Sequence, residues 1–157
     1  LVGTHARDKD GVVASMLISD MAAYYYDKGM SLYDGLIELY NKVGFFKEDM
    51  ISLTLSGISG LEKIKEIMEY FRENGLNELA EVKVIESKDY NDGIDGLPKS
   101  NVLKFILEDG SWIAARPSGT EPKLKFYMGI CGNSKELVES KCRLIKDTLN
   151  KKIKNLI

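Results

Sequence analysis

The sequence predicts an α+β fold, an antiparallel sheet packed against helices and preceded by a short helical segment. Three observations carry that prediction. Apolar residues recur at three- and four-residue spacing near both ends of the chain, alternating apolar runs occupy the middle, and Asp109-Gly110 sits between two such runs as a hairpin signal. Strands joined by tight turns and flanked by amphipathic helices bury their apolar face against those helices.

Taken in order, the first helix is predicted from Asp8 onward, where Val12, Val13, Met16, Leu17, Met21 and Tyr24 make one apolar face and Gly29 supplies the stop. Ser31 reads as the N-cap of a second helix, with Asp34 three residues on as the acid of a capping box. Leu32, Leu36, Leu39, Tyr40 and Val43 carry that helix to Gly44. Residues 44–49 mix glycine, phenylalanine and charges and are expected to form a hinge. Residues 50–55 read as a strand, since Ile51, Leu53 and Leu55 alternate with Ser52 and Thr54. Ser59-Gly60-Leu61-Glu62 then predicts a capped helix lined by Leu61, Ile64, Met68 and Phe71 and ended by Gly75.

Further strands are predicted at residues 81–86, 102–108 and 111–116, the last two joined by a two-residue hairpin at Asp109-Gly110. Residues 124–130 make another, with Leu124, Phe126, Met128 and Ile130 on one face. From Ser134 a closing helix buries Leu137, Val138, Ile145, Leu149 and Ile153, and its lysine-rich end suits the helix dipole. The expected domain division is residues 1–45 and 46–157.

Composition excludes several function classes. The 157 residues carry a formal net charge of -2, with 44% hydrophobic and 29% charged residues, so nothing draws the chain as a whole to nucleic acid or an anionic membrane. No apolar run approaches the roughly 20 residues that span a bilayer, and no signal-peptide pattern opens the chain. No nucleic-acid or membrane partner is expected, and a cytoplasmic location is the default. Cys131 and Cys142 lack CxxC spacing and read as free thiols, and one histidine excludes a multi-histidine metal site. Asp89, Asp92 and Asp95 do not follow the calcium-loop spacing and read as a flexible acidic turn. No metal site is expected in the chain.

One stretch carries chemistry. Arg116-Pro117-Ser118-Gly119-Thr120-Glu121-Pro122-Lys123 places a guanidinium, two hydroxyls and a glycine between two strands. Arginine presents a planar fork that matches two phosphate oxygens, and the hydroxyls of Ser118 and Thr120 can donate to a third. Gly119 would let successive backbone amides turn toward one point. An ordinary Pro/Gly turn between strands uses the same residue types. Lys123 and Lys125 add positive potential or are simply solvated, and Glu121 is expected to point away or cap an amide. Near the start, His5, Arg7 and Lys9 alternate, and on an extended backbone they form a cationic cluster suited to phosphoryl transfer. The alternative is surface pairing of Arg7 and Lys9 with Asp8 and Asp10.

The stretch RPSGTEPKLKFY resembles the phosphate-binding loop in the last domain of the α-D-phosphohexomutases, the phosphoglucomutase and phosphomannomutase family. Residues 4–11, followed by a long amphipathic helix, are similar to the end of that family's third domain. The resemblance covers essentially the whole chain and implies a C-terminal fragment: the helical tail of the third domain, then a fourth domain similar to the TATA-binding-protein fold. A start at Leu1 rather than Met fits that expectation. It implies that Arg116, Ser118, Gly119 and Thr120 hold the non-reacting phosphate of a phosphosugar substrate, that Lys9 contacts substrate, and that His5 and Arg7 line the reaction centre.

The implied reaction interconverts glucose 1-phosphate and glucose 6-phosphate through a phosphoserine and a bisphosphate intermediate, with Mg²⁺ as cofactor. The phosphoserine loop, the Asp-rich magnesium loop and the Glu-Glu-Ser-Gly type sugar loop of the family do not occur here. The fragment is therefore expected to be inactive without the remaining domains, and glucose, mannose, glucosamine and pentose phosphates stay open as substrates. A standalone module that binds a phospho-ligand is the alternative.

Overall fold

The computed structural model describes residues 2–4, 7–94 and 96–157, in two compact units, Leu1–Gly44 and Phe45–Ile157. The expectations placed on His5 and Asp95 lie outside the described residues.

In the first unit, α1 spans Gly11–Asp27 and α2 spans Leu32–Val43. The start of α1 is set by Asp10, whose carboxylate accepts from the amides of Val12 and Val13 at 3.0 Å each. The Ser31/Asp34 capping box forms in both directions, satisfying two otherwise orphaned amides. Gly35 allows the helices to meet, because a Cβ there would run into the Tyr25 ring. The apolar spacing of α1 does not translate into burial: Val12, Met16, Leu17, Met21 and Tyr24 are all exposed, and no residue of α1 is buried. Two helices alone offer no second layer to cover that face.

Among the described residues the second unit is one six-stranded antiparallel sheet with two α-helices and a short 3-10 helix at Tyr90–Asp92. Its elements are β1 (Phe45–Thr54), α3 (Gly57–Asn74), β2 (Glu78–Leu79), β3 (Val82–Asp89), β4 (Leu103–Leu107), β5 (Trp112–Pro117), β6 (Lys123–Gly132) and α4 (Lys135–Lys154). The strand order is β1-β6-β5-β4-β3-β2. Residues 44–49 are thus not a hinge. β1 begins at Phe45 and pairs with β6 without interruption from Phe45↔Gly132 to Thr54↔Lys123, because the long β6 offers a backbone partner to each of these residues.

One face of the sheet is the core. Leu124, Phe126, Met128 and Ile130 of β6 are each at most 1% exposed, and Ile113 and Ala115 of β5 join them. Against this face pack Ile64, Ile67, Met68 and Phe71 of α3 and Val138, Cys142, Ile145, Leu149 and Ile153 of α4. The Phe71 ring meets Phe126 edge-on at 5.5 Å, an arrangement aromatic pairs favour. Leu61 and Leu137 fall outside their predicted stripes and are exposed, their places taken by Ile67 and Cys142. Burial pushes the Cys142 thiol up, and the Asp49 carboxylate adds to that.

Two local expectations are corrected, and a third segment gains a contact. α3 starts two residues before the predicted Ser59 box, from an N-cap at Ser56 whose side chain makes no capping bond, which leaves Ser59 inside the helix. The Asp109-Gly110 hairpin has three loop residues rather than two. Leu107 accepts from Gly110 and donates to Ser111, and Gly110 takes φ 84 at the bulge position that follows a type I turn. The acidic turn is anchored through Asp89, which accepts from Asn91 at 3.0 Å and pairs with Arg72 at 2.7 Å, tying β3 to α3.

Candidate functional site

Because α3 and α4 cover one sheet face, the side chains of opposite parity on β1, β5 and β6 are left on an open face. Arg116 belongs to that set. Its register partner on β6 is Lys125, and the partner of Lys125 on β1 is Ser52. Two residues along the same strands, Tyr127 lies opposite Met50 on one side and Ala114 on the other. These residues and the loop after β5 line a concavity of about 480 Å³, comprising Met50, Ser52, Arg116, Pro117, Ser118, Gly119, Glu121, Lys123, Lys125 and Tyr127.

The loop closes on itself. Ser118 donates its amide to the Lys123 carbonyl at 2.8 Å, and Lys123 donates to the Glu121 carbonyl at 2.7 Å. The Ser118 hydroxyl oxygen accepts from the amides of Thr120 at 3.4 Å and Glu121 at 3.3 Å. Two backbone donors therefore converge on one oxygen, as a bound anion would require. Both bonds are long, so an oxygen bearing full negative charge would compete well for these donors. The far end of the loop is held by Leu55, which follows β1 and donates to the Pro122 carbonyl at 2.9 Å.

Charge is concentrated here. Arg116, Lys123 and Lys125 face one carboxylate, Glu121, for a net of two positive charges. Glu121 pairs with Lys123 at 3.1 Å. Among the described residues, neither Arg116 nor Lys125 has a carboxylate within 4 Å.

Ser118 and Arg116 are brought together as the sequence suggests, and Gly119 lines the same space. Thr120 is not among the residues that line it, and its backbone amide donates to Ser118 Oγ. The conformational reason offered for Gly119 is absent, since its φ is not positive and a Cβ there would meet nothing within 4 Å. The sequence gives Lys125 only as an added or solvated charge, and it does not mark Tyr127, Met50 or Ser52. Alternation signals that Lys125 and Tyr127 share a face with one another, but only the register sets Lys125 against Arg116 and brings β1 beside them. In the first unit, Lys9 and Asp8 form an exposed ion pair at 3.1 Å, and the hydrogen bonds from the Lys9 amide and ammonium hold the Asp8 carboxyl below its usual range. Arg7 is exposed.

A second hollow of about 350 Å³ lies between β1 and α4, but its charges alternate in sign, with Asp49 bound to Lys146 at 2.9 Å. Among the described residues no three His, Cys, Asp or Glu side chains converge to hold a metal ion. Among the described residues no helix is long and apolar enough to cross a membrane.

Comparison with known proteins gives these features a context. Residues 61–140 match the family model described as phosphoglucomutase/phosphomannomutase, C-terminal domain. A phosphoglucomutase of Staphylococcus aureus (strain MRSA252) is 40% identical over 136 residues, covering 79% of this chain and 24% of the relative. A phosphoglucomutase of Staphylococcus epidermidis (strain ATCC 35984) is 35% identical over 146 residues, covering 86% of this chain and 27% of the relative. The crystal structure of parafusin, a phosphoglucomutase from Paramecium in an open form, superposes with a TM-score of 0.66 over 97% of this chain and 28% of its own, at 18% identity. That last likeness is one of fold. The chain spans about a quarter of the length of the relatives it matches.

Proposed function

The chain belongs to the phosphoglucomutase/phosphomannomutase family, with residues 61–140 matching that family's C-terminal domain, and from this membership we propose that the concavity beside residues 116–123 holds the non-reacting phosphate of a phosphosugar. The observation that supports this most is the opposition of Arg116 and Lys125, two cations without carboxylate partners among the described residues, beside a loop whose amides converge on one oxygen. A phosphate monoester carries about −1.5 to −2 charges at neutral pH, which matches the net charge of the concavity.

In this reading Arg116 supplies the bidentate fork, Lys125 a point charge, and the amides of Thr120 and Glu121 donate to a phosphate oxygen that takes over from the Ser118 hydroxyl. Ser118, released from those amides, donates to the same phosphate. The side chains present recognise the phosphate group rather than sugar hydroxyls, which suits a mutase in which either end of the substrate must occupy the same cradle. The activity proposed for the whole enzyme is the interconversion of glucose 1-phosphate and glucose 6-phosphate through a phosphoserine, in the cytoplasm. The described residues of this chain do not fit the Mg²⁺ site that the family implies. The phosphoserine, the metal and the remaining domains are assigned to other parts of that enzyme.

The test is a titration of the chain with glucose 1-phosphate, glucose 6-phosphate and glucose while backbone amide resonances are followed. Both phosphates are expected to move the amides of residues 118–121 and 123 in the same way, and glucose to leave them unmoved. Shifts with glucose, or with one phosphate only, would contradict a phosphate-reading cradle.

A further inference from the structure

We infer that Glu121 sets the charge of this cradle, holding it to the two positive charges that one phosphate dianion neutralises; the inference rests on the phosphate reading above. A carboxylate lining an anion site is costly unless it serves a purpose, and Glu121 is the only carboxylate among the described residues that line this one. Its side chain is not needed to shape the loop. The structural bonds of Glu121 are made by its backbone: the amide donates to Ser118 Oγ and the carbonyl accepts from the Lys123 amide. The side chain is 57% exposed and touches one charged partner, the Lys123 ammonium at 3.1 Å. Lys123 is thereby neutralised, leaving Arg116 and Lys125 as the uncompensated charges that meet the ligand.

Releasing Lys123 would give the cradle three positive charges against one dianion. The ligand would then be held more tightly and leave more slowly, and more salt-derived counterions would compete for the empty site. A cradle that must accept a phosphate, let go and accept the other end of the same molecule is better served by two charges. Glu121 thus acts on the ligand through Lys123 and through the summed field, without contacting the phosphate itself.

The experiment titrates the 157-residue chain with inorganic phosphate, at a pH where the dianion dominates and at several salt concentrations. Glu121→Gln is expected to bind about three- to tenfold tighter than the parent and to lose affinity more steeply with salt. Lys123→Met leaves Glu121 facing the anion and is expected to bind about three- to tenfold more weakly. The double variant Glu121→Gln/Lys123→Met removes a neutral pair and should return to within about twofold of the parent. A structural role for Glu121 would not produce that rescue or the change in salt slope. If the parent binds phosphate through Arg116 while Glu121→Gln binds equally or more weakly, or the double variant fails to recover, the inference is overturned and the cradle reading stands. If the parent binds no phosphate, and Arg116→Ala behaves identically, the cradle reading falls and the inference with it.

Discussion

Arg116 and Lys125 stand directly opposite each other in the β5–β6 ladder, on the sheet face that the helices leave open. Two like charges in register are unfavourable, and among the described residues no carboxylate lies within 4 Å of either. A bound phosphate would turn this repulsion into two charge-assisted contacts. Arg116→Ala removes a bond class that contributes about 1.5 to 3 kcal/mol, so phosphosugar affinity should fall roughly 10- to 150-fold. Isothermal titration of the two proteins measures it, and a change within twofold would remove Arg116 from the site.

Lys125→Met should separate stability from binding. Relieving the opposed charges is expected to stabilise the ligand-free chain by a few tenths of a kcal/mol, up to about 1. The same change should abolish most of the thermal stabilisation that phosphate confers on the parent. Melting curves with and without phosphate check both halves, and a variant that melts lower without ligand would contradict the repulsion argument.

Ser118→Ala should have a smaller effect than Arg116→Ala. The hydroxyl is lost as a donor to the ligand, yet the amides of Thr120 and Glu121 are freed from their long bonds to it. A neutral hydrogen bond contributes about 0.5 to 1.5 kcal/mol net, which predicts affinity about two- to tenfold weaker. Loss of binding equal to that of Arg116→Ala would show that the hydroxyl, not the guanidinium, organises the cradle.

Acid sensitivity should come from two anchors of the sheet. Burial raises the Asp109 carboxyl, but the hydrogen bonds from Lys141 and Ser111 and the charge of Lys141 outweigh it and hold it below its usual range. The Lys146 hydrogen bond, then the Met50 amide, hold Asp49 down in the same way. A depressed folded-state value contributes stability above the unfolded value, about 3.9, and that stability is lost as pH falls through the folded one. Denaturant midpoints should therefore drop below about pH 4, and Asp109→Asn should be less stable than the parent at pH 7 with a shallower acid decline. An identical pH profile in the variant would exclude Asp109 as a source.

Much of the fold is legible in the sequence because its periodicities are strong. The alternation through Leu124, Phe126, Met128 and Ile130 describes β6, and the Ser31/Asp34 box starts α2, because both signals are local. The β2–β3 turn is not legible: Ala80 and Glu81 adopt φ 50 and φ 66, a conformation that ordinarily calls for Asn or Gly. The early start of β1 depends on β6, a partner far along the chain. For the site, residue types single out Arg116 and Ser118, whereas the place of Lys125 opposite Arg116 is a matter of register, which no local pattern encodes. Lys9, for which the resemblance implies a substrate contact, pairs at the surface with Asp8, one of the two carboxylates that the sequence offers it.

In the proposed function, residues 116–125 form a cradle for one phosphate. Its most direct test follows the backbone amides of the chain and of Arg116→Ala during titration with inorganic phosphate at low ionic strength. Shifts concentrated at residues 118–121 and 123 are expected in the parent, and their loss in Arg116→Ala. Equal shifts in both proteins, or shifts centred on the Asp49–Lys146 hollow, would contradict it.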